Sequence, residues 1–179
     1  LFVNSLTYSG LKFLKKEGPA KNLGDAIGQL TYASDTSHKC PHEGLAINDQ
    51  PYFALWSYKV YSSDRFDLLG NSLAILSGLA SPEKAKAMVK WIESVCDAMD
   101  RTKDLVLDLT PNLFPFIQPE DADWLPRYYD FNRPGDYHNG GIWPFISGLY
   151  IAALVAAKEY DLAEKKLLAL TKLIKKSRN

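Results

Sequence analysis

Residues of this chain whose types and spacing could do chemistry fall in two clusters. The denser one reads Asp130-Phe131-Asn132-Arg133-Pro134-Gly135-Asp136-Tyr137-His138-Asn139-Gly140-Gly141-Ile142-Trp143-Pro144. Gly140-Gly141 permits close backbone approach and Pro144 suits a first helical turn, so the stretch reads as a loop ending at the mouth of a helix. Tyr137, His138, Asn139 and Trp143 combine hydrogen-bond donors, acceptors and a flat apolar face. That set suits a sugar ring, whose axial hydrogens stack on aromatics while its hydroxyls need polar partners. It equally suits a structured loop whose aromatics are tucked into a core.

The second cluster is Asp64-Arg65-Phe66-Asp67-Leu68-Leu69-Gly70-Asn71. Asp64 stands where it could cap a helix, and Asp67 would lie in the first turn, where an acid complements the helix dipole. Asn71, one turn after Asp67, would share its face as a polar pair on an otherwise apolar helix. Such a pair is either buried and bonded or turned toward a ligand. His38-x-Cys40-x-His42 resembles a metal cluster only superficially. Its one-residue gaps fit no usual zinc spacing and no second half follows, so no metal is expected. Glycine-rich phosphate loops and the HExxH and GxSxG patterns are absent, and no cofactor is expected.

The elements that must position these clusters are helical. Apolar periodicity predicts helices over about Leu1–Lys16, ended by Gly18-Pro19, and over Ala20–Tyr32. Others are expected over Phe66–Leu79, with Leu69, Leu73, Leu76 and Leu79 in register, and from Ser81-Pro82 to Met99, with Ala85, Met88, Val89, Ile92 and Cys96 inward. Two more follow, Trp143–Ala157 and Leu162–Lys175, the last with Asp161 as its cap. Short connections pair them into hairpins, whereas Ala33–Arg65 and Asp100–Ile142 are long and rich in Tyr, Trp and Phe. Long connections of that kind commonly carry function, and hairpins place them on one side. Some of Pro51–Tyr61 is expected to be extended.

Composition bounds the rest. The 179 residues carry 21 Lys+Arg against 21 Asp+Glu, and at 46% hydrophobic the chain suits one globular domain. Zero net charge argues against a nucleic-acid partner, which would need clustered Lys and Arg. No apolar run approaches the roughly 20 residues of a membrane span. Two cysteines and no secretory leader pattern make a cytoplasmic setting the expectation. Leu1 falls inside an amphipathic pattern, so the chain is expected to be part of something longer.

The two clusters together carry a resemblance. Arg65–Ala85, with Gly70-Asn71 ahead of Ile75-Leu76-Ser77 and a Pro-containing turn, resembles a segment of the neutral/alkaline invertases. Tyr137-His138-Asn139-Gly140-Gly141, one variable residue and Trp143-Pro144 resemble a motif of the same family, in the same order. Leu1–Leu11 is similar to a helix of the related glycogen-debranching glucosidases, and the likeness runs over roughly Leu1–Lys172.

That resemblance implies an all-α fold, helical hairpins forming part of an (α/α)6 toroid with long loops on one face, as a single domain over 1–179. It implies a glycoside hydrolase acting without cofactor on sucrose or on an α-1,6-glucoside. Arg65, Asn71, Tyr137, His138, Asn139 and Trp143 would lie at or near the sugar-binding face. Asp67 departs from the aromatic common in the invertases there, which leaves glycogen debranching or another glucoside as open as sucrose. Such enzymes use two carboxylates roughly 5–9.5 Å apart. The resemblance puts the acid before Leu1 and the base after Asn179, and within the chain Asp67 and Asp136 are the nearest candidates. Part of a ring exposes helical edges, so the remainder of the barrel or a second copy is the expected partner. The rival expectation is a stand-alone helical domain that binds carbohydrate or protein and catalyses nothing.

Overall fold

The computed structural model describes residues 1–28, 50–58, 61–63, 65–102, 105 and 107–176. The fold is all-α, with short extended pieces, and the chain divides into two compact units, residues 1–88 and 89–179, the boundary falling within a helix. His38, Cys40, His42 and Asp64 lie outside the described residues.

In the first unit α1 (Phe2–Phe13) packs against α2 (Glu17–Gly28) and α3 (Leu68–Leu76). Gly18-Pro19 does not end α1 as expected. The chain turns earlier, through Lys15 at φ 57°, and Pro19 falls in the first turns of α2. Proline lacks the amide that those turns leave unpaired, so it starts a helix as readily as it stops one. A hairpin of β1 (Trp56–Tyr58) and β2 (Tyr61–Ser63) pairs antiparallel, with Tyr58 opposite Tyr61, as the β-favouring composition of Pro51–Tyr61 suggests.

Helix α3 differs from its expected register. It begins at Leu68, with Asp67 as N-cap and not in the first turn. Its buried face holds Leu68, Gly70, Asn71, Ser72, Ala74 and Ile75, while Leu76 is exposed. The helix is apolar nearly all round, so leucine spacing alone does not select a face. The core of this unit gathers Phe53, Phe66, Leu68 and Met88, with Tyr52 set edge-on to Phe66 at 5.3 Å.

Helix α4 (Pro82–Thr102) starts as its Ser81-Pro82-Glu83 signal predicts, the Lys84 N–H donating to Ser81 Oγ at 3.2 Å. Ala85, Met88, Val89, Ile92 and Cys96 are all buried. In the second unit α5 (Tyr128–Phe131) is a single turn inside the long connection. Helix α6 (Pro144–Ala156) then packs against α7 (Tyr160–Lys176) across a three-residue turn. Asp161 lies in the first turn of α7 and is not its cap. Tyr150, Ala153, Leu154 and Leu170 fill this core, and Trp91 stacks on Phe114 at 5.5 Å. Among the described residues no helix is long and apolar enough to cross a membrane.

Candidate functional site

The segment between α5 and α6 is folded by its own hydrogen bonds. Asp136 N–H donates to Arg133 O, Asn139 N–H to Asp136 O and Gly135 N–H to Asn139 O, each at 2.8 Å. Gly141 N–H donates to Tyr137 O at 3.0 Å, and the Trp143 indole N–H donates to the same oxygen at 3.1 Å. These bonds hold Tyr137 at φ 42°, a left-handed conformation that costs a non-glycine residue of order 1 kcal/mol.

Both glycines of the motif are required by space. Gly140 sits at φ 103°, and a Cβ there would drive into the Phe116 ring. At Gly141 a Cβ would come within 2.5 Å of Tyr137 O. The turn is therefore wound too tightly for any side chain at either position, and its aromatic side chains lie toward the surface.

What it turns outward is aromatic. His138 and Trp143 stack at 5.6 Å with 16° between their planes. Tyr137 lies 4.0 Å from His138 and 5.4 Å from Trp143, and Phe131 and Phe145 extend the group edge-on at 6.3 and 6.4 Å. Tyr137 is 47% exposed and Phe145 58%, while Trp143 is half-buried, so the group lies at the surface and is not tucked into a core. An apolar flat face beside an imidazole and a phenol is the equipment for stacking a sugar ring while bonding its hydroxyls.

The same turn walls a cleft of about 560 Å³, lined by Phe116, Gln118, Pro134, Asp136, Gly140 and Ile142 among others. Asp136 is the sole carboxylate among its described lining residues. Asp67 belongs to the first unit and works as a cap, its Oδ2 accepting from Gly70 N–H at 2.8 Å. Burial pushes the Asp67 carboxyl above its ordinary value, against the Gly70 N–H and the Leu1 ammonium, which pull it down. A raised carboxyl is what a general acid needs, but here the group is already engaged at a helix end.

Of the residues named from the sequence, Tyr137, His138, Asn139 and Trp143 are gathered in one turn. Arg65, half-buried, and Asn71 belong to the other unit. Asn71 and Asn139 are each 0% exposed. Asn71 Oδ1 accepts from Phe53 N–H at 2.9 Å, while its Nδ2 donates to Phe53 O and Asp67 O, both at 3.0 Å. The Asn139 amide is likewise bonded to the main chain of Ile117 and Asn132, so both side chains tie main-chain segments together.

Sequence reasoning missed Asn132, buried in the turn, whose Oδ1 accepts from Asn139 N–H at 2.9 Å. Asparagine ahead of an Arg-Pro-Gly turn is a signal that could have found it. It also missed Lys166, 2% exposed on α7, which pairs with Glu93 at 3.0 Å, while Tyr150 O–H donates to the same carboxylate at 2.9 Å. Burial alone would lower the Lys166 ammonium, but Glu93, helped by Asp108, outweighs it and the net shift is upward. A lysine in a basic helix carries no pattern that marks it as buried.

Comparisons with known proteins bear on this site. The family model described as alkaline and neutral invertase matches residues 60–178. Cytosolic invertase 1 of Oryza sativa subsp. japonica is 33% identical over 112 residues, 58% of this chain and 19% of the relative. Alkaline/neutral invertase E, chloroplastic, of Arabidopsis thaliana is 31% identical over 111 residues, covering 58% and 17%. Alkaline/neutral invertase C, mitochondrial, of the same plant is 29% identical over 112 residues, covering 62% and 16%. The matched region thus spans about a fifth of the length of these curated relatives or less.

Proposed function

The chain belongs to the alkaline and neutral invertase family, and from that premise we propose that it supplies the sugar-binding part of a glycoside hydrolase that cleaves sucrose. The observation that carries this reading is the surface cluster of exposed Tyr137 and His138 with half-buried Trp143, their ring centres within 6 Å of one another and His138 stacked on Trp143. On it a pyranose or furanose face would lie against Trp143, with hydroxyls toward His138 and the Tyr137 phenol. Sucrose is favoured over an α-1,6-glucoside because the three relatives named above are invertases, whereas debranching keeps only the similarity of Leu1–Leu11 in its support. Cytosolic, chloroplastic and mitochondrial relatives leave a cytoplasmic setting as one proposal among compartments.

In this reading hydrolysis runs on two carboxylates and water, without cofactor: one protonates the leaving oxygen, the other activates water or attacks the anomeric carbon. We assign that pair to chain outside residues 1–179. Asp67 is occupied in capping and Asp136 lines its cleft without a second carboxylate among the described residues. The hairpins α1–α2 and α6–α7 would then be parts of one toroidal domain. Phe13 at 86% exposure and Leu14 at 64% favour a covering partner, the rest of the ring or a second copy.

Titrating the purified chain with sucrose by calorimetry tests the platform. Trp143→Ala should reduce affinity at least tenfold, about 1.4 kcal/mol, while the far-ultraviolet circular dichroism stays unchanged. Unchanged affinity would overturn the assignment. Sucrose turnover by this chain that vanished in Asp67→Asn or Asp136→Asn would overturn the placing of the catalytic pair elsewhere.

A further inference from the structure

Asn139, expected at or near the sugar-binding face, is 0% exposed, its side chain turned into the turn. Its bonding is nonetheless the densest in the turn. Its Oδ1 accepts from Ile117 N–H at 2.7 Å. Its Nδ2 donates to Ile117 O at 2.8 Å and to Asn132 O at 3.1 Å. Its own N–H donates to Asn132 Oδ1 at 2.9 Å and to Asp136 O at 2.8 Å, and its carbonyl accepts from Gly135 N–H at 2.8 Å. Both amide hydrogens are used, so the side chain has no donor left for anything else.

These bonds converge on one seam. Phe116 lies under Gly140, where a Cβ would strike its ring, and the next residue, Ile117, has both main-chain polar groups held by the Asn139 amide. On the other side of the seam stand Tyr137 at φ 42° and His138, the residues just before Asn139, and Trp143, whose indole N–H is held by Tyr137 O. The amide therefore ties segment 116–117 to the base of the aromatic platform.

We propose that Asn139 is a positioning residue, whose two amide hydrogens, given to Ile117 and Asn132, hold Tyr137, His138 and Trp143 in their clustered arrangement. Its consequence for sugar rests on the reading given above; its consequence for the rings does not. Only an amide of this length fits. A carboxylate at the same place would set negative oxygen against the Ile117 and Asn132 carbonyls, which accept and cannot donate. A protonated carboxyl restores one of those bonds, so an aspartate here becomes a pH-dependent clamp.

The test uses the whole chain labelled with nitrogen-15, comparing wild type, Asn139→Asp and Asn139→Ala between about pH 4.5 and pH 7.5. The readouts are the Trp143 indole resonance, assigned with Trp143→Phe, and sucrose affinity by calorimetry. Asp136, His138, Arg133 and the nearby Asp121 are present in every protein, so differences from wild type isolate position 139. Asn139→Asp should match wild type at the acid end and depart from it as pH rises, with affinity falling at least tenfold. Asn139→Ala should be displaced throughout the range. An Asn139→Asp indole that follows wild type at every pH, or an Asn139→Ala with wild-type indole and affinity, would overturn the proposal.

Should neither variant fold, hydrogen exchange in the wild type decides. The Ile117 amide should exchange as slowly as the core of α6, and exchange at the rate of exposed loop amides would overturn it. Wild type that fails to bind sucrose while the indole behaves as described would overturn the sugar reading and leave the positioning role standing.

Discussion

Asn71 and Asn139 make the same bridge in different surroundings. Each amide accepts from the N–H of a distant residue and donates to that residue's own carbonyl, Phe53 for Asn71 and Ile117 for Asn139, and each gives its second hydrogen to a nearby carbonyl. Around Asn71 everything is core: Tyr52, Phe53, Ala54 and Phe66 are all at most 4% exposed. Around Asn139 the bridged turn is glycine-bound and carries exposed rings. In the first case the amide spares a buried segment two unpaired polar groups. In the second it fixes a surface whose own packing would not hold it. An identical bond pattern therefore means stability in one place and aim in the other.

The largest expected effect separates the two regions by their glycines. Gly140→Ala must force a Cβ into the Phe116 ring at φ 103°, and should cost about 3–4 kcal/mol in urea unfolding. Gly70→Ala meets the Asp67 carboxylate at 2.5 Å, an end that can swing aside at the loss of a cap bond. That should cost about 1 kcal/mol, offset in part by alanine's helix propensity. Equal costs for the two would break the distinction between a rigid turn and a yielding helix start.

The amides come next. Asn71→Ala leaves the Phe53 N–H and C=O unpaired where water cannot reach, and should lower stability by about 2–3 kcal/mol, read as a fall in the urea midpoint at constant slope. If the midpoint moved by less than about 0.5 kcal/mol, Asn71 would not be holding the core segment, and the contrast with Asn139 would collapse.

How much of this was legible beforehand follows the same division. Helix α4 could be read because Ser81-Pro82 starts it and Ala85, Met88, Val89, Ile92 and Cys96 repeat at helical spacing on its one buried face. Helix α3 could not be faced correctly, since leucines surround it and small residues, Gly70, Ser72 and Ala74, are what the core admits. The gathering of Tyr137, His138, Asn139 and Trp143 was legible because one short turn contains them all. That Asn139 faces inward was not. A sequence gives the residue's hydrogen-bonding capacity, but the partner, Ile117, lies 22 residues away and only the folded turn brings it there. Lys166 failed for a related reason: its burial depends on Glu93 from another helix supplying the charge.

The smallest expected effect concerns acid, and it sets the two units against each other. Burial holds the Asp67 carboxyl above its ordinary value of 3.8, so the folded first unit binds this proton more tightly than the unfolded chain does. Its contribution is present below the unfolded value and is lost as pH rises through the folded one. At Asp108 burial also pushes upward, but the Lys165 hydrogen bond and the Lys166 ammonium outweigh it and hold the carboxyl below 3.8. That contribution is present above the unfolded value and is lost as pH falls through the folded one. Asp67→Asn keeps an oxygen for the Gly70 N–H, so the cap survives while the titration is removed. This variant should lose stability more steeply than wild type when urea midpoints are followed from about pH 6 to pH 3, and Asp108→Asn less steeply. Both slopes changing in the same direction would show that the two carboxylates do not sit in opposite environments, and the electrostatic half of the comparison would fail.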